Sequence, residues 1–305
     1  MSSPELSICI PTFNRCAELK RLLLSIKSPS NFKLEIVIVD DGSEDSTVKT
    51  CVSLELTFQT RWFCQKNQGR AAALHLAISK ARGNYILIMD SDDYFLKDSI
   101  DNILKKLNQH SKLLAQPKIC GLVFTCLNER MELIGSRFRN EEINNFVKYL
   151  VEERVSGDKK EIIKADYLKR HLYEIIPNER RVATSTIWNR LARNFDVITV
   201  NVPIVIKEYH PNGMSKNLTK IRIQSAQSTT NYYEEHLSDY LKTYKNNWHA
   251  FRTSANYVRF SLHSKRKIQE RTQIFSFGQK VFLLISYPLG WLLFIRDCAF
   301  MRVTK

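Results

Sequence analysis

The sequence predicts an α/β protein: an open, mostly parallel sheet flanked by helices, with a helical appendage at its C-terminal end. Three observations carry this. Residues 5–110 alternate short apolar runs with amphipathic helical runs. Two of the apolar runs, Leu34–Val39 and Tyr85–Met89, are nearly continuous, as in strands buried on both faces. Polar or acidic turns follow the strands, and a strand–helix–strand rhythm builds parallel sheets through right-handed crossovers.

Taken in order, Leu6–Ile10 is a short strand and Pro11-Thr12-Phe13-Asn14 the turn after it. Glu18–Ile26 predicts a helix with Leu19, Leu22, Leu23 and Ile26 on one face. Leu34–Val39 is the second strand, and Asp40-Asp41-Gly42-Ser43 turns the chain into a helix around Glu44–Leu54. Arg61–Cys64 is the third. Asn67-Gln68-Gly69 leads into a helix over Arg70–Ala81, with Gly83 capping its end. Tyr85–Met89 is the fourth strand, stopping at Asp90-Ser91-Asp92-Asp93, and a helix bearing Ile100, Ile103, Leu104 and Leu107 follows. Further on, Ile119–Leu127 and Met131–Arg137 predict two strands joined at Asn128-Glu129-Arg130. Residues 140–200 read as short helices with a strand near Val197–Val200. Val202–Tyr209 is another strand-like run, with a turn at His210-Pro211-Asn212-Gly213, and residues 226–263 read as helices.

The 305 residues contain 44% hydrophobic and 10% aromatic side chains, enough for a sizeable core, so bulk disorder is excluded despite a net charge of +15. Nine Gly and eight Pro exclude collagen-like and low-complexity chains. Seven cysteines, an odd number without a CxxC pair, argue against a disulfide scaffold or a zinc ribbon and fit a reducing cytosol. The N-terminus has neither a charged segment nor a long apolar run, so no signal peptide is expected.

Parallel-sheet proteins bind ligands beyond the carboxyl ends of their strands. Three turns there are polar or acidic: Pro11–Asn14, Asp40–Asp41 and Asp90–Asp93. Clustered carboxylates oppose one another's ionisation unless positive charge sits between them. The alternation Asp90-x-Asp92 suits a hard divalent ion, Mn²⁺ or Mg²⁺, that shares its other positions with waters and substrate phosphates. The plain alternative is that these acids only cap the helices after them.

The segments Ser7–Arg15, Glu35–Ser43, Asn67-Gln68-Gly69-Arg70 and Tyr85–Tyr94 resemble, in order over about 90 residues, the motifs of family-2 glycosyltransferases of the GT-A fold. The resemblance implies an inverting transferase that takes a sugar from a nucleotide diphosphate-sugar, UDP-linked by preference. It implies that Pro11, Thr12 and Asn14 border the nucleotide, that Asp41 contacts the base, and that Gly69 and Arg70 approach the phosphates. Asp90, Ser91 and Asp92 would form the DxD turn, with Asp90 and Asp92 as the metal acids and Asp92 in direct contact; Asp93 is expected to cap the next helix. Residues 1–225 would be the GT-A domain, split into a nucleotide-sugar half (1–110) and an acceptor half (111–225), and residues 226–305 a helical extension. In the family the catalytic base precedes a Trp by four residues; here Trp188 is present but that position is Thr184, which cannot serve. Glu179 and Asp158 are the candidate replacements, the alternative being a catalytically impaired nucleotide-sugar-binding subunit. His210 would close over the diphosphate or be structural.

Val281–Ile295 is 15 residues without a charge, too short for a spanning helix of about 20. Pro288 and Gly290 interrupt it, which predicts a bent or re-entrant pair of short helices. Residues 257–305 carry nine Lys or Arg against two Asp or Glu, and these cations flank both sides of the apolar run. This favours an anionic membrane surface over nucleic acid as partner, with a segment at about 274–303 lying in the interface on the cytoplasmic face of the cell membrane. The alternative is a helical hairpin packed on the protein. A lipid-linked glycan acceptor follows by analogy, and a homo-oligomeric state is left open.

Overall fold

The computed structural model describes residues 4–29, 32–208, 218–243, 247–265 and 275–303. The chain divides into two compact units, Met1–Tyr173 with Arg190–His210, and Glu174–Asn189 with Pro211–Lys305.

The first unit carries the sheet. Its strands are β1 (Leu6–Thr12), β2 (Leu34–Asp40), β3 (Gln59–Cys64), β4 (Tyr85–Ile88), β5 (Tyr94–Phe95), β6 (Ile119–Asn128), β7 (Ile143–Asn144), β8 (Lys159–Lys164) and β9 (Asp196–Lys207). Its helices are α1 (Cys16–Ser25), α2 (Thr47–Val52), α3 (Arg70–Lys80), α4 (Ser99–Gln109), α5 (Ser111–Leu114), α6 (Phe146–Val151) and α7 (Ala165–Arg170). Among the described residues the strand order is β3-β2-β1-β4-β8-β6-β9-β5, with β7 also on β9. Strands β3, β2, β1 and β4 are mutually parallel, and β8 runs antiparallel between β4 and β6.

Two-sided burial explains the unbroken apolar runs: every residue of β1 and β2 is buried. One face of the sheet presents Leu6, Ile8, Ile10, Ile36, Ile38, Leu87, Leu122, Phe124 and Ile162 to Leu19, Leu22 and Leu23 of α1 and Ile100 and Ile103 of α4. Each such fully buried aliphatic side chain contributes about 1.5–3 kcal/mol. Helix α3 lies on the other face, where the chain just after it meets the sheet: Gly83 N donates to Ser7 Oγ (2.8 Å) and Arg82 N to Glu35 Oε1 (2.5 Å). Gly121 is required where β6 meets β8, because a Cβ there would stand 2.1 Å from the Ile162 carbonyl oxygen.

Three expectations are corrected. Met131–Arg137 is not a strand: only Leu127 and Leu133 bridge, the Asn128 side chain folds a turn by accepting from Arg130 N and Glu132 N, and Met131 and Gly135 have positive φ. The two runs after residue 196 form one strand, β9, whose register against β6 shifts between the pairs Phe124–Val200 and Thr125–Pro203, where a proline cannot donate to the ladder. The segment 159–164, expected within a helical region, is the central strand β8.

The second unit contains α9 (Leu218–Gln224), α10 (Ala226–Thr243), α11 (Asn247–His263) and α12 (Phe277–Val303), while α8 (Ser185–Ala192) is divided between the units. Leu237, Tyr257, Val258, Phe275 and Leu283 form its small core. The expected pair of short helices is instead one continuous helix, α12, that runs through Pro288. Gly290 lets it approach α11, since a Cβ there would sit 2.7 Å from the Ala255 oxygen and Val258 Cβ. The contact is fixed by a buried bidentate pair, Arg259 Nε and Nη2 to Asp297 at 2.6 and 2.7 Å, with His263 Nε2 at 3.1 Å.

Candidate active site

The sequence-predicted residues of the first unit converge at the carboxyl edge of β1, β2 and β4. Pro11 and Thr12 end β1 opposite Val39 and Asp40, and the Thr12 carbonyl accepts from Asp41 N at 2.8 Å. Among the described residues the Thr12 hydroxyl is buried without a hydrogen-bond partner. Asn14 stands at φ 49°, and its Oδ1 accepts from Glu44 N (2.9 Å), tying the first loop to the turn after β2.

The two acids of that turn do different work. Asp40 is held by Ser43, whose N–H and hydroxyl both reach it. Asp41 is buried and its carboxylate accepts from Gln65 Nε2 (2.7 Å), Gln68 N (2.9 Å) and Gly69 N (2.7 Å). It therefore fixes the approach to α3, whose first residue follows Gly69 at φ 94°, a conformation favouring glycine.

Arg70, the first residue of α3, reaches Asp90 with Nε at 2.8 Å and with Nη2. Lys207, at the end of β9, places its ammonium 3.6 Å from Asp90, 3.2 Å from Asp93 and 3.4 Å from Asp158. Lys160, on β8, donates to Asp93 at 2.9 Å. Three carboxylates are thus gathered around two ammonium groups and a guanidinium. Burial alone would raise the Asp90 carboxyl, yet Arg70, Lys160 and Lys207 hold it well below the usual carboxylate range. For the same reason Lys207 is raised: its three acids outweigh the cost of burying an ammonium. The expectation that Asp93 caps the next helix is corrected, because Asp98 occupies the cap position and Asp93 is committed to the two lysines. Ser91 is buried within the turn closed by Asp93 N on the Asp90 carbonyl.

Asp92 differs from its neighbours. Burial and the like charges of Asp90 and Asp93 raise its carboxyl, and its cationic partner, Arg15 Nη2, stands at 4.0 Å. Arg21 Nη2 holds the Asp92 carbonyl (2.8 Å), pairs with Glu208 and stacks on Tyr94, 4.4 Å from its centroid. A divalent cation beside Asp92 would relieve this repulsion, so its carboxylate fits the implied ion, whereas Asp90 is taken up by Arg70 and Lys207. Among the described residues no three His, Cys, Asp or Glu side chains form a metal cage, so such an ion would take its other ligands from water and substrate phosphate.

Of the two candidate bases, Asp158 belongs to the Lys207 cluster and is 52% exposed. Glu179 belongs to the second unit, where its two oxygens accept Gln227 N and Ser228 N, each at 2.7 Å, at the start of α10. His210 lies outside the described residues. Sequence reasoning missed Arg15, Arg21, Lys160 and Lys207; a lysine directly after the apolar run Val202–Ile206 was the available signal for the last.

The family model Glycosyl transferase family 2 matches residues 7–157. An uncharacterized glycosyltransferase of Rickettsia felis is 36% identical over 132 residues, covering 43% of this chain and 21% of that protein, so the chain spans about a fifth of that relative's length. Among solved structures, S. aureus TarS 1–349 in complex with UDP-GlcNAc superposes with a TM-score of 0.57 at 14% identity, covering 93% of this chain and 89% of that one. The mannosyltransferase PcManGT of Pyrobaculum calidifontis, in complex with GDP-Man and Mn²⁺, does so with a TM-score of 0.53 at 17% identity, covering 97% and 88%. The strand order, the acidic turn after β4 and the family match agree: through residues 7–157 the chain belongs to glycosyl transferase family 2, on a GT-A fold.

Proposed function

We propose that this chain is an inverting glycosyltransferase that moves a sugar from a nucleotide diphosphate-sugar, a UDP-sugar by preference, to a lipid-linked or glycan acceptor in surface-polysaccharide assembly. The observation that carries the reading is the division of labour in the acidic turn: Asp90 is neutralised by close cations, while burial and the like charges of Asp90 and Asp93 raise Asp92, whose pairing with Arg15 is long at 4.0 Å. Asp92 would hold Mn²⁺ or Mg²⁺. Bound there, the ion supplies Lewis-acid neutralisation of the leaving diphosphate. Arg15 and Arg70 stand beside Asp92 and Asp90 as the guanidinium groups suited to pair with phosphate oxygens. Thr12, whose buried hydroxyl has no partner among the described residues, Asn14, Asp41, Gly69 and Ser91 border the nucleotide-sugar in this reading.

In the transfer, the acceptor oxygen bonds to the anomeric carbon as the bond to the diphosphate breaks, and the acceptor proton passes to a carboxylate. Glu179 accepts the first amides of α10 with both oxygens, which favours Asp158, on the first unit, of the two bases named by sequence.

Helix α12 would lie in the interface on the cytoplasmic face of the cell membrane. Leu284, Ile285, Trp291, Leu292 and Ile295 are exposed, while Asp297 faces α11. It is long and apolar enough to cross a bilayer, but Asp297 and its buried partner favour a helix lying flat on its own unit.

Thr184 favours a second reading, a nucleotide-sugar-binding subunit without turnover. Nucleotide release from UDP- and GDP-sugars with Mn²⁺ separates the two. Turnover that falls at least about a hundredfold in Asp92→Ala supports the transferase. Nucleotide binding without turnover, with glycan and lipid-linked acceptors supplied, supports the subunit.

A further inference from the structure

The transfer read above needs a carboxylate with free lone pairs, close to neutrality, on the sheet face that carries the donor groups. The register of the sheet identifies that face. Ser7 pairs with Ile86, and Ile86 with Ile163, so these three side chains share a face. Ser7 accepts from Gly83 just past α3, so theirs is the face covered by α3. Side chains alternate along a strand, which puts Glu161, two residues before Ile163 and opposite Val123, on the same face. Arg70 opens α3 on that face and binds Asp90, at the end of the strand beside β8.

We propose that Glu161 is the catalytic base that takes the acceptor's proton, filling the role left vacant by Thr184. Among the described residues its carboxylate makes no hydrogen bond or ion pair with another side chain, in contrast to Asp90, Asp93 and Asp158, which share Lys207, and to Glu179, which holds α10. The side chain is half-buried on a central strand, an arrangement that serves packing poorly and proton transfer well. The charged and titratable groups around it are Lys159, Lys160, Asp158, Lys207 and Cys126. Burial pushes the carboxyl up to about 7, with Asp158 adding to the rise and Lys160 and Lys207 opposing it. A base poised there is matched to neutral conditions. In the step itself, a Glu161 oxygen accepts the hydroxyl proton as the acceptor oxygen bonds to the anomeric carbon. The electron pair of the breaking carbon–oxygen bond leaves on the diphosphate.

This inference rests on the glycosyl-transfer reading, and one experiment separates them. Hydrolysis of UDP-GlcNAc and of GDP-mannose, with water as acceptor and Mn²⁺ present, is followed from pH 5 to 9 for the full chain, Glu161→Gln and Asp158→Asn, with UDP affinity measured by calorimetry. The expected result is a kcat that falls in acid through about pH 7 in the unsubstituted chain. Glu161→Gln should lose about 10²–10⁴-fold in kcat and the acid limb with it, at UDP affinity within about twofold. Asp158→Asn should keep the acid limb. Glu161→Gln turning over like the unsubstituted chain, losing UDP binding in step with activity, or keeping the acid limb would overturn the assignment and leave the transferase reading standing. No turnover of either donor by the unsubstituted chain, with UDP still bound and with glycan and lipid-linked acceptors also supplied, would overturn both.

Discussion

At the residue scale, the site is organised by a lysine. Lys207 is the common partner of Asp90, Asp93 and Asp158, which come from the turn after β4 and the loop before β8. Removing one member of a buried charged cluster strands the others. Lys207→Met should therefore cost about 3–5 kcal/mol in urea unfolding, more than the loss of an exposed lysine. The same cluster sets the pH response. The Asp90 carboxyl is depressed in the folded chain, so its contribution is present above the ordinary carboxylate value of about 4 and is lost as pH falls further. Glu161 has the opposite sign: its raised carboxyl favours the folded state in acid, and that contribution disappears as pH rises through about 7. Glu161→Gln should thus raise the unfolding temperature at pH 8 by at least about 2 °C and change it little at pH 5, which thermal scans at the two pH values would show. Asp92 could be read from sequence because acids at strand ends stand out. Lys207 and Glu161 could not, since their meaning depends on which strands become neighbours.

At the element scale, the parallel half of the sheet was legible because its strands are buried on both faces and their hydrophobicity is unbroken, as in Leu34–Val39. Strand β8 was hidden by the charges that make it useful: in Lys159-Lys160-Glu161-Ile162-Ile163-Lys164 only Ile162 and Ile163 read as strand, and Lys160 and Glu161 belong to the site. Pro288 misled in the other direction. A proline inside a helix loses one hydrogen bond, but packing of Gly290 against α11 and the Arg259–Asp297 pair hold α12 continuous across it. Glu179, read from sequence as a base, has a clear role in the second unit as the acceptor for the first amides of α10. Its replacement by Ala should cost about 0.5–2 kcal/mol of stability, as loss of a helix cap does, and leave the acid limb of the pH–rate profile in place. Chemical denaturation and the rate profile of the same variant would check both halves.

At the scale of the whole molecule, the chain combines a net charge of +15 with a carboxylate-rich site, and part of the positive excess lies in the segment that carries α12. Exposed Leu284, Ile285, Trp291, Leu292 and Ile295 beside Lys280 and Arg296 suit a bilayer surface bearing anionic headgroups. The full chain should sediment with vesicles containing phosphatidylglycerol and not with phosphatidylcholine vesicles at moderate salt. Replacing Leu284 and Leu292 by Glu should release it without unfolding the helix, as circular dichroism would verify. Membrane placement would set the class of acceptor, but the chemistry rests on the acidic turn after β4. The most direct test is release of UDP from UDP-GlcNAc, or of GDP from GDP-mannose, in Mn²⁺ by the unsubstituted chain and by Asp92→Ala. The predicted result is turnover that falls at least about a hundredfold in the variant while its fold is unchanged. Equal release by both proteins, or none from any bound donor with glycan and lipid-linked acceptors supplied, would contradict the account.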